Sequence, residues 1–242
     1  RLISSAASDV YKRQDQDQMQ SELKKRFEDF QKILDTISIK SNYVDVIAVS
    51  KKQSIEKIKI LKALGIKKFG ENYAQELSQK AELLKGSNLE WHFIGPIQSN
   101  KCDQIVKHSS LIHSVAREKI VKCLNQSATK CKKVQKVLIQ VNIENEPTKS
   151  GVQKHELKNF IDLVNDHKNL ELHGLMFLPD ISKNDASQLQ TMQECFELFS
   201  TMKKYSTKLE KLSLGTSQDF EKALKQGSNM IRVGEILFGP RP

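Results

Sequence analysis

The chain predicts an α/β fold, a single (β/α)8 TIM-type barrel with one extra helix ahead of its first strand. Three observations lead there. About eight short apolar segments alternate with amphipathic helical segments, which favours parallel strands joined by right-handed crossovers. The length of 242 residues suits one such barrel and leaves no room for a second large domain. No GxGxxG follows the first strand, as an open doubly wound nucleotide-binding sheet, the main alternative, would carry.

The elements follow in order. Leu23, Phe27, Phe30, Ile33, Leu34 and Ile37 recur at helical spacing, so residues 21–38 predict an amphipathic helix, and 44–49 the first buried strand. Ser54 caps a helix whose inner face is Ile55, Ile58, Leu61 and Leu64; it stops at Gly65, and strand two spans 66–70. Ala74, Leu77, Ala81 and Leu84 mark the next helix, ended near Gly86 and followed by strand three at 91–94. Ser99 caps a short helix carrying Cys102, Ile105 and Val106 before strand four at 111–115. Ile120, Val121 and Leu124 face inward ahead of strand five, 137–141. Leu157, Phe160, Ile161 and Val164 lead to strand six at 172–177, and Leu189, Met192, Phe196, Phe199 and Met202 to strand seven at 211–214. A helix on Phe220, Ala223 and Leu224 stops at Gly227 before strand eight, 230–233.

Residues 1–18 begin without Met and are rich in Ser, Ala, Asp and Gln, with no apolar stretch of a signal peptide. They are set apart as a disordered tail or non-native segment, leaving 19–242 as the barrel. The formal charge of +10 comes mostly from dispersed lysines. That pattern predicts a solvated exterior rather than a specific nucleic-acid face. No apolar run is long enough for a membrane span. Cys102, Cys123, Cys131 and Cys195 form no CxxC pair, which predicts reduced thiols and a cytoplasmic protein. The scattered histidines show no metal-ligand spacing, so no metal is expected.

In a barrel of this type chemistry sits just past the strand C-termini. That rule selects Lys51 after strand one, Asn72 and Tyr73 after strand two, and residues 92–98 at strand three. Later strands contribute Asn142, Met176, residues 213–217 and residues 232–235. Lys51 reads either as a surface lysine or as an amine held near the core, where desolvation favours the neutral form that attacks an aldehyde. The Gly215-Thr216-Ser217 and Gly234-Glu235 segments each read as a tight turn taken alone. Together, after the last two strands, they suit a phosphorylated ligand.

Several segments carry a resemblance: Ala48-Val49-Ser50-Lys51, Phe69-Gly70-Glu71-Asn72-Tyr73, Trp91-His92-Phe93-Ile94-Gly95, Gln98-Ser99-Asn100-Lys101, Lys149-Ser150-Gly151, Gly174-Leu175-Met176, Leu212-Ser213-Leu214-Gly215 and Ile231-Arg232-Val233-Gly234. In this order they resemble the pyridoxal phosphate homeostasis protein family over residues 47–241. The barrel of that family is similar to the alanine racemase N-terminal domain. The resemblance implies pyridoxal 5′-phosphate (PLP) held as a Schiff base on Lys51. It implies phosphate contacts from Ser213, Ser217 and the Gly234-Glu235 backbone, and Arg232 facing the pyridine nitrogen. Asn72, His92 and Met176 are implied as pocket-lining residues. Two positions depart from the family pattern: Pro96, where His or Asn is common, and Glu235, where Thr or Ser is frequent.

An Arg beside the pyridine nitrogen discourages its protonation and makes the ring a poorer electron sink. A racemase also needs a second acid/base group, which its other domain supplies and which is expected to be missing here. The expected function is therefore a monomeric, non-enzymatic PLP holder in vitamin B6 and amino-acid homeostasis, with apo PLP-dependent enzymes as recipients. A small PLP-dependent amino-acid racemase, a cofactor-free Schiff-base aldolase acting on a sugar phosphate and a pure interaction module remain the alternatives.

Overall fold

A computed structural model describes residues 2–37, 43–145 and 150–240, with side chains from Gln14 onward. Its frame is a closed ring of eight parallel strands: β1 (Asp45–Val49), β2 (Lys68–Glu71), β3 (Glu90–Phe93), β4 (Leu111–Val115), β5 (Gln135–Asn142), β6 (Leu170–Phe177), β7 (Lys211–Thr216) and β8 (Met230–Val233). The ring closes where β1 pairs with β8, from Asp45 opposite Met230 to Ala48 opposite Val233. A two-residue strand, Val152–Gln153, is appended to the end of β5.

The predicted alternation holds, and the boundary shifts have local causes. Strand β2 begins at Lys68 rather than Ile66 because the chain is still closing the preceding helix, α2 (Ile55–Ala63). Gly65 there takes φ +109°, and the Ile66 N–H donates back to the Leu61 carbonyl at 3.1 Å. Ser54 caps α2 as expected, its hydroxyl accepting from the Lys57 N–H at 3.3 Å. The remaining outer helices are α3 (Ala74–Leu83), α4 (Cys102–His108), α5 (Glu118–Lys130), α6 (Leu157–Asn165), α7 (Asp185–Tyr205), α8 (Phe220–Gln226) and the short α9 (Glu235–Phe238).

Strand side chains alternate between two cores. The outward set packs beneath the helices in one large cluster. The inward set includes Ile47, Leu111, Leu138, Met176 and Met230, which form a separate plug inside the ring. At the N-terminal end of the ring Asp45 pairs with Lys68, and with Lys211 at 2.8 Å. At Gly174 an added Cβ would lie 1.9 Å from the Lys211 carbonyl oxygen, so β6 and β7 approach at a distance only glycine permits.

Helix α1 runs Leu2–Thr36, so residues 2–18, set apart as a disordered tail or non-native segment, lie on the same helix as the stretch expected to be helical from residue 21. Nucleation is the costly step of helix formation, and the turn anchored by Leu23, Phe27 and Phe30 supplies a template for the polar residues ahead of it. Residue 38, the expected end, lies outside the described residues. The anchored half packs on α2 and α9, with Phe30 against Phe220 at a ring separation of 5.5 Å. Phe30→Ala is expected to cost about 3–5 kcal/mol of folding stability in denaturant titration. A loss below about 1 kcal/mol would show that α1 is not part of the core.

Candidate functional site

Lys51 sits on the first turn after β1, half-buried, between buried Ser50 and a Lys52 in the left-handed region at φ 59°. A buried ionic knot fastens this turn to β2 and α3. Lys80 Nζ donates to the Ser50 carbonyl at 2.6 Å, to Glu71 Oε1 at 2.7 Å and to Glu76 Oε1 at 2.6 Å, which uses all three ammonium hydrogens. Ser50 Oγ donates to Glu71 Oε1 at 2.6 Å, and the Lys52 N–H donates to Glu76 Oε1 at 2.5 Å. Burial pushes the Glu71 carboxyl up to about 7, against the opposing pull of Lys80.

The loops after β7 and β8 meet this turn. After β7, Asp219 accepts from the Thr216 N–H at 2.6 Å and the Thr216 hydroxyl at 2.8 Å, which orders the loop. Ser217 Oγ then accepts from the Gly234 N–H at 2.9 Å and stands 3.5 Å from the Ile236 nitrogen, so two backbone donors converge on one oxygen. Gly234 lies directly on β1: an added Cβ would stand 3.2 Å from the Val49 oxygen and 3.3 Å from the Val49 Cβ. The Glu235 side chain is exposed.

Arg232 is buried just inside the ring. Its Nη1 donates to the Ser213 carbonyl at 2.9 Å and to Ser213 Oγ, and its Nη2 donates to the Phe177 carbonyl at 2.8 Å. Burial pulls the guanidinium down to about 10, which leaves it charged at neutral pH. Among the described residues it forms no ion pair within 4.0 Å. Its charge is met by two carbonyls and a hydroxyl, with Nε–H and one Nη2–H still to place.

Three of the implied residues lie below the rim. Ser213 is fully buried beneath Arg232, with its hydroxyl engaged by Arg232 and His113. His92 lies in the ring interior with its Nδ1 2.9 Å from His113 Nε2. Met176 belongs to the interior plug. The physical reason is strand parity: these side chains point inward below the rim, where neighbouring strands fill the space. A cavity of about 830 Å³ opens at the mouth over β2 to β6, lined by Asn72, Arg117, Gln140, Asn142, Gly151 and Leu178 among others. Of the implied cofactor residues only Asn72 lines it. The Asn72 Oδ1 is a buried acceptor with no partner among the described residues. Lys149 lies outside the described residues.

Sequence reasoning passed over Glu71, Lys80 and His113. Glu71 and Lys80 fall on outward or helical positions, where charge normally signals solvent. His113 did carry a usable signal, because it shares inward parity with Leu111 on a strand whose neighbour brings His92 opposite Leu111.

A family model describing the alanine racemase N-terminal domain matches residues 29–242. A curated relative from Buchnera aphidicola subsp. Schizaphis graminum, named pyridoxal phosphate homeostasis protein, is 40% identical over 204 residues, covering 82% of this chain and 89% of that one. The chain belongs to the pyridoxal phosphate homeostasis protein family. A second member, from Aquifex aeolicus, is 34% identical over 220 residues and covers 90% of this chain and 96% of that one. Among solved structures, PipY of Synechococcus elongatus PCC7942 with PLP bound is 28% identical, with a TM-score of 0.80 and coverage of 90% of this chain and 100% of that one. An alanine racemase from Clostridium difficile 630, at 14% identity and a TM-score of 0.72, shares the fold; the match covers 91% of this chain and 56% of that one.

In this family member the ionic knot yields a pH-dependent prediction. The folded Glu71 keeps its proton up to about pH 7, whereas a free carboxyl loses it near 4.5, so its contribution favours folding at low pH and is lost as pH rises through that window. Lys80→Met removes the charge that partly offsets this. It is expected to cost about 3–5 kcal/mol at pH 8 and clearly less at pH 5, measured by denaturant titration. An equal loss at both values would contradict the assignment.

Proposed function

We propose that this chain holds PLP as a Schiff base on Lys51 and stores or supplies it, without converting a substrate of its own. The observation that carries the reading is the contact of Gly234 on Val49. It joins the end of the Lys51 strand to the loops where backbone donors converge on Ser217. A family of PLP homeostasis proteins and a relative solved with PLP bound support the ligand.

The residues present fit that group. The oxygen position at Ser217, reached by two N–H groups, suits a phosphate oxygen, with Ser217 and the Gly234-Glu235 backbone as its holders. Only the exposed side chain of Glu235 carries the carboxylate, so the backbone there stays compatible with an anion. Arg232, a buried cation with donors left over, suits the pyridine nitrogen and adds positive potential for a dianion. The orphan Asn72 Oδ1 suits a hydroxyl donor at the rim. PLP, once bound, supplies an aldehyde for a neutral amine and a ring that withdraws electrons.

The chain's own groups explain holding rather than conversion. Lys51 presents the amine from a turn that the Lys80 knot fixes in place. Arg232 keeps a proton off the ring nitrogen, because two adjacent cations repel. His92, Met176 and Ser213 form the floor beneath instead of touching the open cavity. We place the protein in the cytoplasm as a monomer, with apo PLP-dependent enzymes as recipients. Among the described residues no helix is long and apolar enough to cross a membrane. The one specific observation favouring an amino-acid racemase is the 830 Å³ cavity beside the site, which has room for a small substrate.

Titration with PLP should produce the visible absorbance of a Schiff base at one equivalent. Lys51→Ala should abolish the band and weaken binding by on the order of tenfold or more. Borohydride reduction and peptide mapping should label Lys51. A label on Lys52 would overturn the site, and sustained turnover of L- or D-amino acids would replace the holder with the racemase.

A further inference from the structure

A row of polar side chains crosses the ring interior, running inward from Arg232. Arg232 Nη1 donates to Ser213 Oγ; Ser213 Oγ lies 3.0 Å from His113 Nδ1; His113 Nε2 lies 2.9 Å from His92 Nδ1. At the far end His92 Nε2 faces Glu90 Oε2 at 4.0 Å, near the N-terminal rim where Lys68 and Asp45 pair. Ser213 and His113 are 0% exposed, His92 2% and Arg232 5%. A buried file of this length in an otherwise apolar plug calls for a role beyond packing.

Elimination assigns its protons. A guanidinium only donates, so Ser213 Oγ accepts from Arg232. The Ser213 hydrogen then needs an acceptor, since a buried unpaired donor is costly, and His113 Nδ1 is the acceptor in reach. A neutral imidazole accepting at Nδ1 carries its hydrogen on Nε2, so His113 donates to His92 Nδ1. His92 in turn carries its hydrogen on Nε2, toward Glu90. Burial holds both imidazoles below their ordinary value; for His113 the neighbouring His92 and Arg232 add to this, while for His92 the carboxylates Glu90 and Asp45 oppose it and Lys68 assists. Asp219 is the carboxylate whose charge reaches Arg232. Every bond in the file therefore runs the same way, from the mouth to the opposite rim.

We propose that Ser213, His113 and His92 are positioning residues: a one-directional hydrogen-bond relay that sets the orientation of the Arg232 guanidinium and, through it, the electronic state of a ring bound against it. The ring part rests on the reading that PLP sits on Lys51 with its nitrogen toward Arg232. Loss of the Ser213 hydroxyl leaves Arg232 with carbonyl partners only and frees it to turn. Loss of the His92 acceptor lets His113 move its hydrogen to Nδ1, which turns the Ser213 hydroxyl away from the file. Either change alters the donor presented at the mouth.

The first test needs no ligand. Nitrogen-15 NMR of labelled imidazoles should show both His113 and His92 neutral with hydrogen on Nε2, and an Nδ1–H form of His113 would overturn the relay. The second follows the absorbance of bound PLP against pH. Ser213→Ala and His92→Leu should each shift its midpoint by about half a unit or more, in the same direction. His92→Asn, which restores an acceptor near the Nδ1 position, should return it toward the parent value. If folded Ser213→Ala and His92→Leu proteins leave the midpoint and band position unchanged, or His92→Asn rescues nothing, the relay is wrong. Should Ser213→Ala not fold, the two His92 variants and the NMR decide. A parent protein with no Schiff-base band sinks the ligand reading instead, and the NMR result still judges the relay.

Discussion

Closure of the ring between β1 and β8 is the constraint on which the rest depends. Four consecutive residue pairs bind these strands in parallel, from Asp45–Met230 to Ala48–Val233. Parallel pairing brings their C-terminal ends to the same rim, so the Lys51 turn and the Gly234 loop become neighbours although they stand at opposite ends of the sequence. Gly234 rests on Val49 so closely that an added Cβ would crowd it at 3.2–3.3 Å, and the same approach leaves its N–H aimed at Ser217. An open sheet would separate these two strands and scatter the site.

Buried cations are compensated in two ways, and the contrast explains the polarity of the mouth. Lys80 is met by two carboxylates and a carbonyl, a closed account that holds a turn in place. Among the described residues Arg232 hydrogen-bonds to neutral acceptors, with the carboxylate charge of Asp219 reaching it from farther off, so its charge is directed more than cancelled. A desolvated cation of this kind is tolerated where an anionic or electron-rich partner completes it. At the opposite rim Asp45 binds Lys68 and Lys211, so the field inside the ring has a mouth end and a closed end.

Much of this architecture is legible in the sequence. Mainly apolar segments such as 137–141 and stops such as Gly65 and Gly227 mark elements because burial and positive φ act locally. The strand-end rule picks out Lys51, Asn72, Ser217 and Gly234, which lie on one rim because a parallel barrel puts every strand end on one face, with Arg232 just inside it. What stayed hidden depends on contacts between distant residues. The depth of Ser213, below the rim and under Arg232, is not legible because sequence distance alone does not tell a rim position from one below it. The pairing of Glu71 with Lys80 is not legible because their burial comes from α3 folding over β2. The α9 turn after Gly234 has too few residues for a periodic signal, and the polar run before Leu23 has no apolar stripe to mark it as helical.

A crystal structure grown with PLP tests the proposed linkage most directly. Continuous density is expected from Lys51 Nζ to the ligand's aldehyde carbon, with the phosphate at Ser217 and the Gly234 nitrogen and the ring nitrogen facing Arg232. Density joined to any other lysine, or a phosphate placed away from the β7 and β8 loops, would contradict it.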